Sequence, residues 1–276
     1  MNALEIHGLT KRRGDFLLQG LELTLPAGCI MGLIGENGAG KSTTIRLILN
    51  GLRRDGGTIA VYGKDNRAMT ALDREDIGAV LDEVGLPEYM NAQQIGRMMA
   101  GIFTRWQPEV YAGYLRRLAL PEDKPFRDFS RGMKMKQGLA VALSHQPKLL
   151  LLDEATSGLD PVVRDEILTI FADFTRDEEH AVLLSSHIVS DLEKICDYIA
   201  FLHKGRLLLC EEKDRLTEAY GILRGGAEDI DPAAVCGRHT TPYGTEYLVR
   251  RDAVPVGMAL GQVNIEDLFV FMAKEV

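Results

Sequence analysis

The chain has 276 residues, 46% apolar and 26% charged, the ordinary balance of a globular protein, which excludes a disordered chain, a collagen and a coiled coil. Lys plus Arg number 32 and Asp plus Glu 40, so the net charge is −8, which argues against a nucleic-acid partner, because that role needs a basic face. The longest apolar runs, such as residues 149–152 and 199–202, fall far short of the ~18 residues that cross a bilayer.

The first residues, Met1-Asn2-Ala3-Leu4-Glu5, have no charged segment leading into an apolar one, so no signal peptide is expected. Residues 3–6 and 21–25 alternate apolar and polar, as half-exposed strands do. After the turn at Pro26-Ala27-Gly28, residues 29–34 are apolar on both faces and predict a buried parallel strand. A glycine-rich loop comes next, then a helix from about Ser42 to Leu49 that Gly51 ends. Ile95, Met98, Met99, Ile102, Phe103 and Trp106 recur at helical spacing and predict one amphipathic helix, with Asn91 as its N-cap. Tyr111, Tyr114, Leu115 and Leu118 predict a second helix, and residues 133–144 a third that ends near Pro147. Strand character returns at 149–152, 182–184 and 199–202, with helices between. Farther on, Tyr247-Leu248-Val249 reads as a strand, and Asn264 caps a last helix bearing Ile265, Leu268, Phe269 and Met272.

The expected organisation is an α/β core over 1–81 and 146–210. An all-helical subdomain over 82–145 interrupts it, and a small C-terminal α+β appendage spans 211–276. The chain contains no repeats. Its 4 cysteines, Cys29, Cys196, Cys210 and Cys236, are scattered with no CxxC pair, which suits buried thiols in a reducing compartment.

Gly35-Glu36-Asn37-Gly38-Ala39-Gly40-Lys41-Ser42 fits GxxxxGK[ST] between an apolar strand and a helix. Glycines let successive backbone N–H groups approach phosphates closely, and the helix start adds partial positive charge. In such a cradle Lys41 reaches the β- and γ-phosphates and the Ser42 hydroxyl ligates Mg²⁺. Leu149-Leu150-Leu151-Leu152-Asp153-Glu154 supplies the carboxylates: Asp153 to hold Mg²⁺ through water, Glu154 to polarise the attacking water.

These segments, with the stretch between them, resemble the ATP-binding-cassette (ABC) ATPases. Phe129-Ser130-Arg131-Gly132-Met133 resembles the ABC signature and precedes a helix. Ser157-Gly158-Leu159-Asp160 resembles the D-loop, and His187 follows a strand like the family's switch histidine. The resemblance implies ATP and Mg²⁺ as cofactors, with Gly35, Asn37, Gly38, Ala39, Gly40, Lys41, Ser42 and Thr43 around the phosphates. It implies that two chains, most simply a homodimer, clamp ATP head to tail, so that Ser130, the Gly132 amide and Asp160 serve the nucleotide of the opposite chain. It implies Glu154 and His187 as the catalytic pair.

Three departures from the family pattern stand out. Arg131 replaces the first signature glycine, a variant that resembles a bacterial exporter subgroup. The Q-loop glutamine gives way to Asp82, or to Glu83 with a one-residue slip, and a carboxylate there still has Mg²⁺-bound water within its chemistry. Arg13 takes the place of the aromatic that stacks on adenine, leaving its guanidinium or the Phe16 ring for that role. His145, His180 and His203 have no comparable context and read as structural.

The family implies an ATPase that drives a separate transmembrane permease exporting drugs, antibiotics or peptides, and so a place at the cytoplasmic face of the membrane. The rim at residues 84–90 is then a candidate groove for the permease. The alternative is a soluble ABC ATPase acting on the ribosome or on DNA, a class that usually carries two cassettes or a long coiled coil.

Overall fold

The structure, a computed structural model, describes residues 1–225, 230–242, 244–255 and 257–274. Strand β1 (Asn2–Arg13) and strand β2 (Phe16–Pro26) alternate between buried and exposed residues over much of their length. They form one antiparallel sheet with β4 (Gly56–Val61) and β5 (Lys64–Asp65), in the order β2-β1-β4-β5. The second sheet carries the core. Its strands β3 (Ile30–Ile34), β7 (Leu149–Asp153) and β8 (Ala181–Ser186) are buried at every position, as continuous apolar strands must be when both faces are covered. Together with β6 (Ile77–Val80) and β9 (Tyr198–His203) they run parallel, and β10 (Arg206–Glu212) closes one edge antiparallel, in the order β10-β9-β3-β8-β7-β6.

Parallel strands need crossovers, and helices supply them. Helix α1 (Lys41–Ile48) follows β3, helix α6 (Pro161–Phe174) follows β7, and helix α7 (Val189–Ile195) follows β8. One consequence decides where function sits. The carboxyl ends of β3, β6, β7, β8 and β9 all open on the same side, the side on which open α/β sheets bind ligands.

Between β6 and β7 lie helices α3 (Ala92–Ala100), α4 (Pro108–Arg117) and α5 (Arg131–Leu143). Asn91 caps α3 as expected, and Gln94 completes a capping box. Buried Tyr111 pins the three helices together: its hydroxyl donates to Ala92 O at 2.8 Å and accepts from Gln137 Nε2. Burial pushes that hydroxyl's pKa up to about 12.

The expected helix through Trp106 stops at Ala100 instead, and Ile102 is exposed. The cause lies outside the helix. The short helix α2 (Ala71–Arg74), with its own Thr70/Asp73 capping box, delivers Glu75, whose carboxylate accepts the Thr104 and Arg105 amides at 2.9 and 3.0 Å and the Thr104 hydroxyl. Phe103 then stacks on His145 at 4.1 Å, and burial pushes that imidazole's pKa down.

Burial by itself would raise the Glu75 carboxyl, but the bonds from Thr104 and Arg105 prevail and hold it below the usual range. Its stabilisation is therefore complete above the ordinary carboxylate pKa and lost as pH falls through the lowered one. Glu75→Ala is expected to cost about 3 kcal/mol, since each hydrogen bond to a charged group is worth about 1.5–3 kcal/mol. Thermal scans from neutral pH downward should show the wild type losing this advantage in acid, where the two proteins converge.

After β10, helix α8 (Lys213–Ala219) leads to a three-stranded antiparallel sheet, β11 (Tyr220–Arg224), β13 (Gly244–Arg250) and β12 (Val235–Thr241) in that order. Helix α9 (Ile265–Lys274) seats this part on the core. Glu193 accepts the Ile265 amide at 2.7 Å, Phe269 meets Phe201 at 5.4 Å, and Asn264 caps the helix through the Asp267 amide. Of the four cysteines expected to be buried, Cys196 is buried in the core, where burial pushes its thiol pKa far up, whereas Cys29, Cys210 and Cys236 are half-buried.

Candidate active site

At the carboxyl end of β3 the glycine-rich loop wraps a cavity of about 370 Å³ lined by Arg13, Phe16, Glu36, Asn37, Gly38, Gly40, Lys41, Ser42, Thr43, Asp82 and Glu154. Two glycines are required by close approach. A Cβ on Gly35 would sit 2.3 Å from Leu202 O, and Gly40, at φ +115°, has the Phe16 ring 2.8 Å from where a Cβ would stand. Gly35 and Ala39 shape the loop from behind and do not line the cavity themselves.

Lys41 is 5% exposed, so its charge must be met inside the protein. Its ammonium donates to Gly35 O at 2.6 Å and to Glu36 O at 3.3 Å, and lies 3.2 Å from Glu154 Oε1. The other oxygen of Glu154 accepts from His187 Nδ1 at 2.6 Å. A carboxylate only accepts, so the His187 ring carries its proton on Nδ1 and its Nε2 remains for another partner. Lysine, glutamate and histidine are thus linked, by an ion pair and then a hydrogen bond, across the ends of β3, β7 and β8. Glu154 holds its place at φ +53°, a left-handed conformation that costs a non-glycine residue about 1–3 kcal/mol. Its amide is anchored on Ser185, through Oγ and O, both at 3.1 Å. Ser185 Oγ in turn donates to Asp153 Oδ1 at 2.7 Å, which leaves Oδ2 of that buried carboxylate uncommitted to this bond.

The donor set tests the expected metal. Ser42 Oγ and Asp153 offer oxygen only, and among the described residues no three His, Cys, Asp or Glu side chains converge into a metal cage. Hard oxygen donors of this kind suit Mg²⁺, which takes one or two protein oxygens together with phosphates and waters. The residues present therefore fit the ion.

A profile of the ABC transporter family matches residues 18–157. The chain is 37% identical over 212 residues to the uncharacterised ABC transporter ATP-binding protein YhcH of Bacillus subtilis, covering 74% of this chain and 68% of that one. The chain belongs to the ABC transporter ATP-binding family. Among further relatives, the bacitracin transport ATP-binding protein BcrA of Enterococcus faecalis is 27% identical and spans 95% of this chain and 87% of its own. The daunorubicin/doxorubicin resistance ATP-binding protein DrrA of Streptomyces peucetius is 34% identical over 86% of this chain and 74% of its own. A solved ATP-binding subunit of an ABC transporter superposes with a TM-score of 0.69 at 26% identity, covering 78% of this chain and 92% of that one. This chain is therefore an ABC ATPase that binds and hydrolyses ATP, and its P-loop lines the cavity described above. Among the described residues no helix is long and apolar enough to cross a membrane.

Of the other expected residues, Asp153, His187, Ser130, Gly132 and Asp160 lie outside the cavity lining. Ser130 caps α5 by accepting the Met133 amide at 3.3 Å, and Gly132 lies in the first turn. Asp160 caps α6 through the Val162 and Val163 amides, both at 3.1 Å. Of the two candidates for the glutamine position, Asp82 lines the cavity and Glu83 does not. Arg13 and Phe16 both line it, so either can meet a base.

His203 is structural, as read, but with a specific partner. Its buried ring donates from Nδ1 to Glu36 Oε2 at 2.9 Å, and Gly205, two residues on, donates its amide to Ala39 O at 3.0 Å. The turn after β9 thus braces the phosphate loop from behind. Only the neighbouring places of β9 and β3 in the sheet reveal this contact, which joins residues 167 apart.

Proposed function

We propose that this ATPase powers an exporter of antibiotic or drug-like molecules, working as two chains beneath a separate transmembrane permease at the cytoplasmic membrane face. The names of BcrA and DrrA support the cargo class. The absence of a spanning helix among the described residues fits a permease on another chain.

The observation that carries the catalytic half is the Lys41–Glu154–His187 chain at the mouth of the cradle. Arriving phosphates take over the Lys41 ammonium and free the Glu154 carboxylate. Glu154 then accepts a proton from the attacking water, and His187, when both ring nitrogens carry a proton, keeps its Nδ1 bond to Glu154 while Nε2 donates to the γ-phosphate and orients it. The Ser42 hydroxyl and the Asp153 carboxylate hold Mg²⁺, which when bound neutralises charge building between the β- and γ-phosphates. The loop amides from Asn37 to Thr43 cradle the phosphates, and Arg13 or Phe16 stacks on the adenine.

The half of the site that closes over ATP comes from a second chain. Ser130 and the Gly132 amide, at the positive end of 13-residue α5, meet the γ-phosphate, and Asp160 flanks it. Residues 84–90 carry the closure to the permease. Val84, Leu86 and Met90 pack on the helical core, while Tyr89 is 76% exposed with Arg127 5.0 Å over its ring.

The test is association. With ATP and Mg²⁺, a hydrolysis-arrested chain should sediment as a dimer, and the wild type should co-purify with a polytopic membrane protein. A chain that stays monomeric when saturated with ATP would overturn the reading.

A further inference from the structure

Two of the residues that depart from the family pattern meet in space. Asp82 stands in place of the Q-loop glutamine and Arg131 in place of the first signature glycine. They are 49 residues apart, yet Arg131 Nη2 lies 2.6 Å from Asp82 Oδ1. The same guanidinium lies along Gly158, where a Cβ would stand 3.5 Å from Nη1 and 3.6 Å from Cδ. One side chain therefore spans three segments: the turn after β6, the start of α5 and the loop before α6. Asp82 also lines the phosphate cavity with Lys41 and Glu154.

We propose that the Asp82–Arg131 ion pair is this ATPase's link between its own cradle and the signature face it offers a partner, with Arg131 as a positioning residue. The pair ties the first turn of α5, which presents Ser130 and Gly132, to a carboxylate facing the chain's own nucleotide. A glutamine opposite a glycine has no charge or side chain with which to make this tie, so the two departures make sense together. Both side chains are about half exposed, at 56% and 51%, so the pair is weak and contributes little to folding. A weak contact suits a link that must yield as the helices rotate on the core. Its effect is on the fraction of chains whose signature is correctly presented, and apparent association scales with that fraction.

The inference rests on the two-chain reading above, and the experiment separates the two. Dimer dissociation constants are measured by sedimentation at saturating ATP and Mg²⁺ in hydrolysis-arrested chains. The chains carry Asp82→Asn, Arg131→Ala, both changes, or Arg131→Lys. An exposed pair is worth up to about fivefold in an equilibrium constant, and a symmetric dimer holds the link twice, so each single variant should weaken the dimer measurably, by up to about 25-fold. The double variant should be no weaker than either single one, and Arg131→Lys, which keeps the charge, should stay within about threefold of the reference. Fluorescent-ATP titration of the same samples at monomeric concentrations tells a damaged cradle from a lost link. Additive losses would mean that the two residues act separately, and an unaffected dimer that the contact is idle; either overturns the proposal. A reference chain that never dimerises overturns the two-chain reading and this link with it, and is recognised because no variant then has anything to weaken.

Discussion

Glu154→Gln should lower ATP turnover by about 10²–10⁴, the usual worth of a general base, which is about 3–5 kcal/mol of activation free energy. The substitution keeps the shape and removes the charge. His187 Nδ1 retains an oxygen to donate to, so the ring stays in place. Lys41 fares differently. It is buried, and Glu154 is the carboxylate within 3.2 Å of its ammonium. With a neutral amide there, the ammonium depends on two carbonyls until phosphates arrive. Removing one partner from a buried pair leaves an uncompensated charge, which an anionic ligand relieves. The variant should therefore bind ATP at least as tightly as the wild type and gain more thermal stability from it. Steady-state phosphate release and thermal shift with ATP measure the two halves. Unchanged turnover would show that another group takes the proton; weakened ATP binding would contradict the Lys41–Glu154 account.

Ser130→Arg should abolish hydrolysis with little change in ATP affinity at low protein concentration. Ser130 does not line the cavity of its own chain, so a change there leaves that chain's cradle untouched. At the start of α5 a large side chain instead fills the space where the γ-phosphate of another chain has to sit, and it replaces the hydroxyl that caps the helix. Cap loss alone costs about 1 kcal/mol, far too little to unfold the chain. The informative comparison is Ser130→Ala, which loses the cap without adding bulk and should retain part of the activity. Equilibrium binding of a fluorescent ATP analogue, read beside phosphate release, checks both. Loss of ATP binding in Ser130→Arg would place the signature beside its own cradle and refute the shared site.

Local chemistry made much of this architecture readable. The unbroken apolar runs of β3, β7 and β8 mark strands covered on both faces, and the side chains of Asn91 and Asn264 announce the helices they cap. The phosphate loop is legible because its glycines, lysine and serine sit together in sequence. What escaped reading depends on partners distant along the chain. Periodicity carried α3 on to Trp106 because it has no knowledge that Glu75 captures the Thr104 and Arg105 amides. The partner of His203 was hidden because Glu36, which it braces, belongs to another strand's loop. Asp82 and Arg131 each read as an isolated departure, and only folding shows that one answers the other. In each case the missing information was sheet order or loop approach, which no window along one segment contains.

The claim on which the mechanism depends is that one nucleotide is held by two polypeptides, and the structure of the Glu154→Gln chain saturated with ATP and Mg²⁺ tests it most directly. The account predicts a two-fold dimer in which each triphosphate lies in one chain's loop from Gly35 to Thr43, with Ser130 Oγ and the Gly132 amide of the opposite chain within hydrogen-bonding distance of its γ-phosphate. ATP bound in the cradle with every Ser130 open to solvent would contradict it.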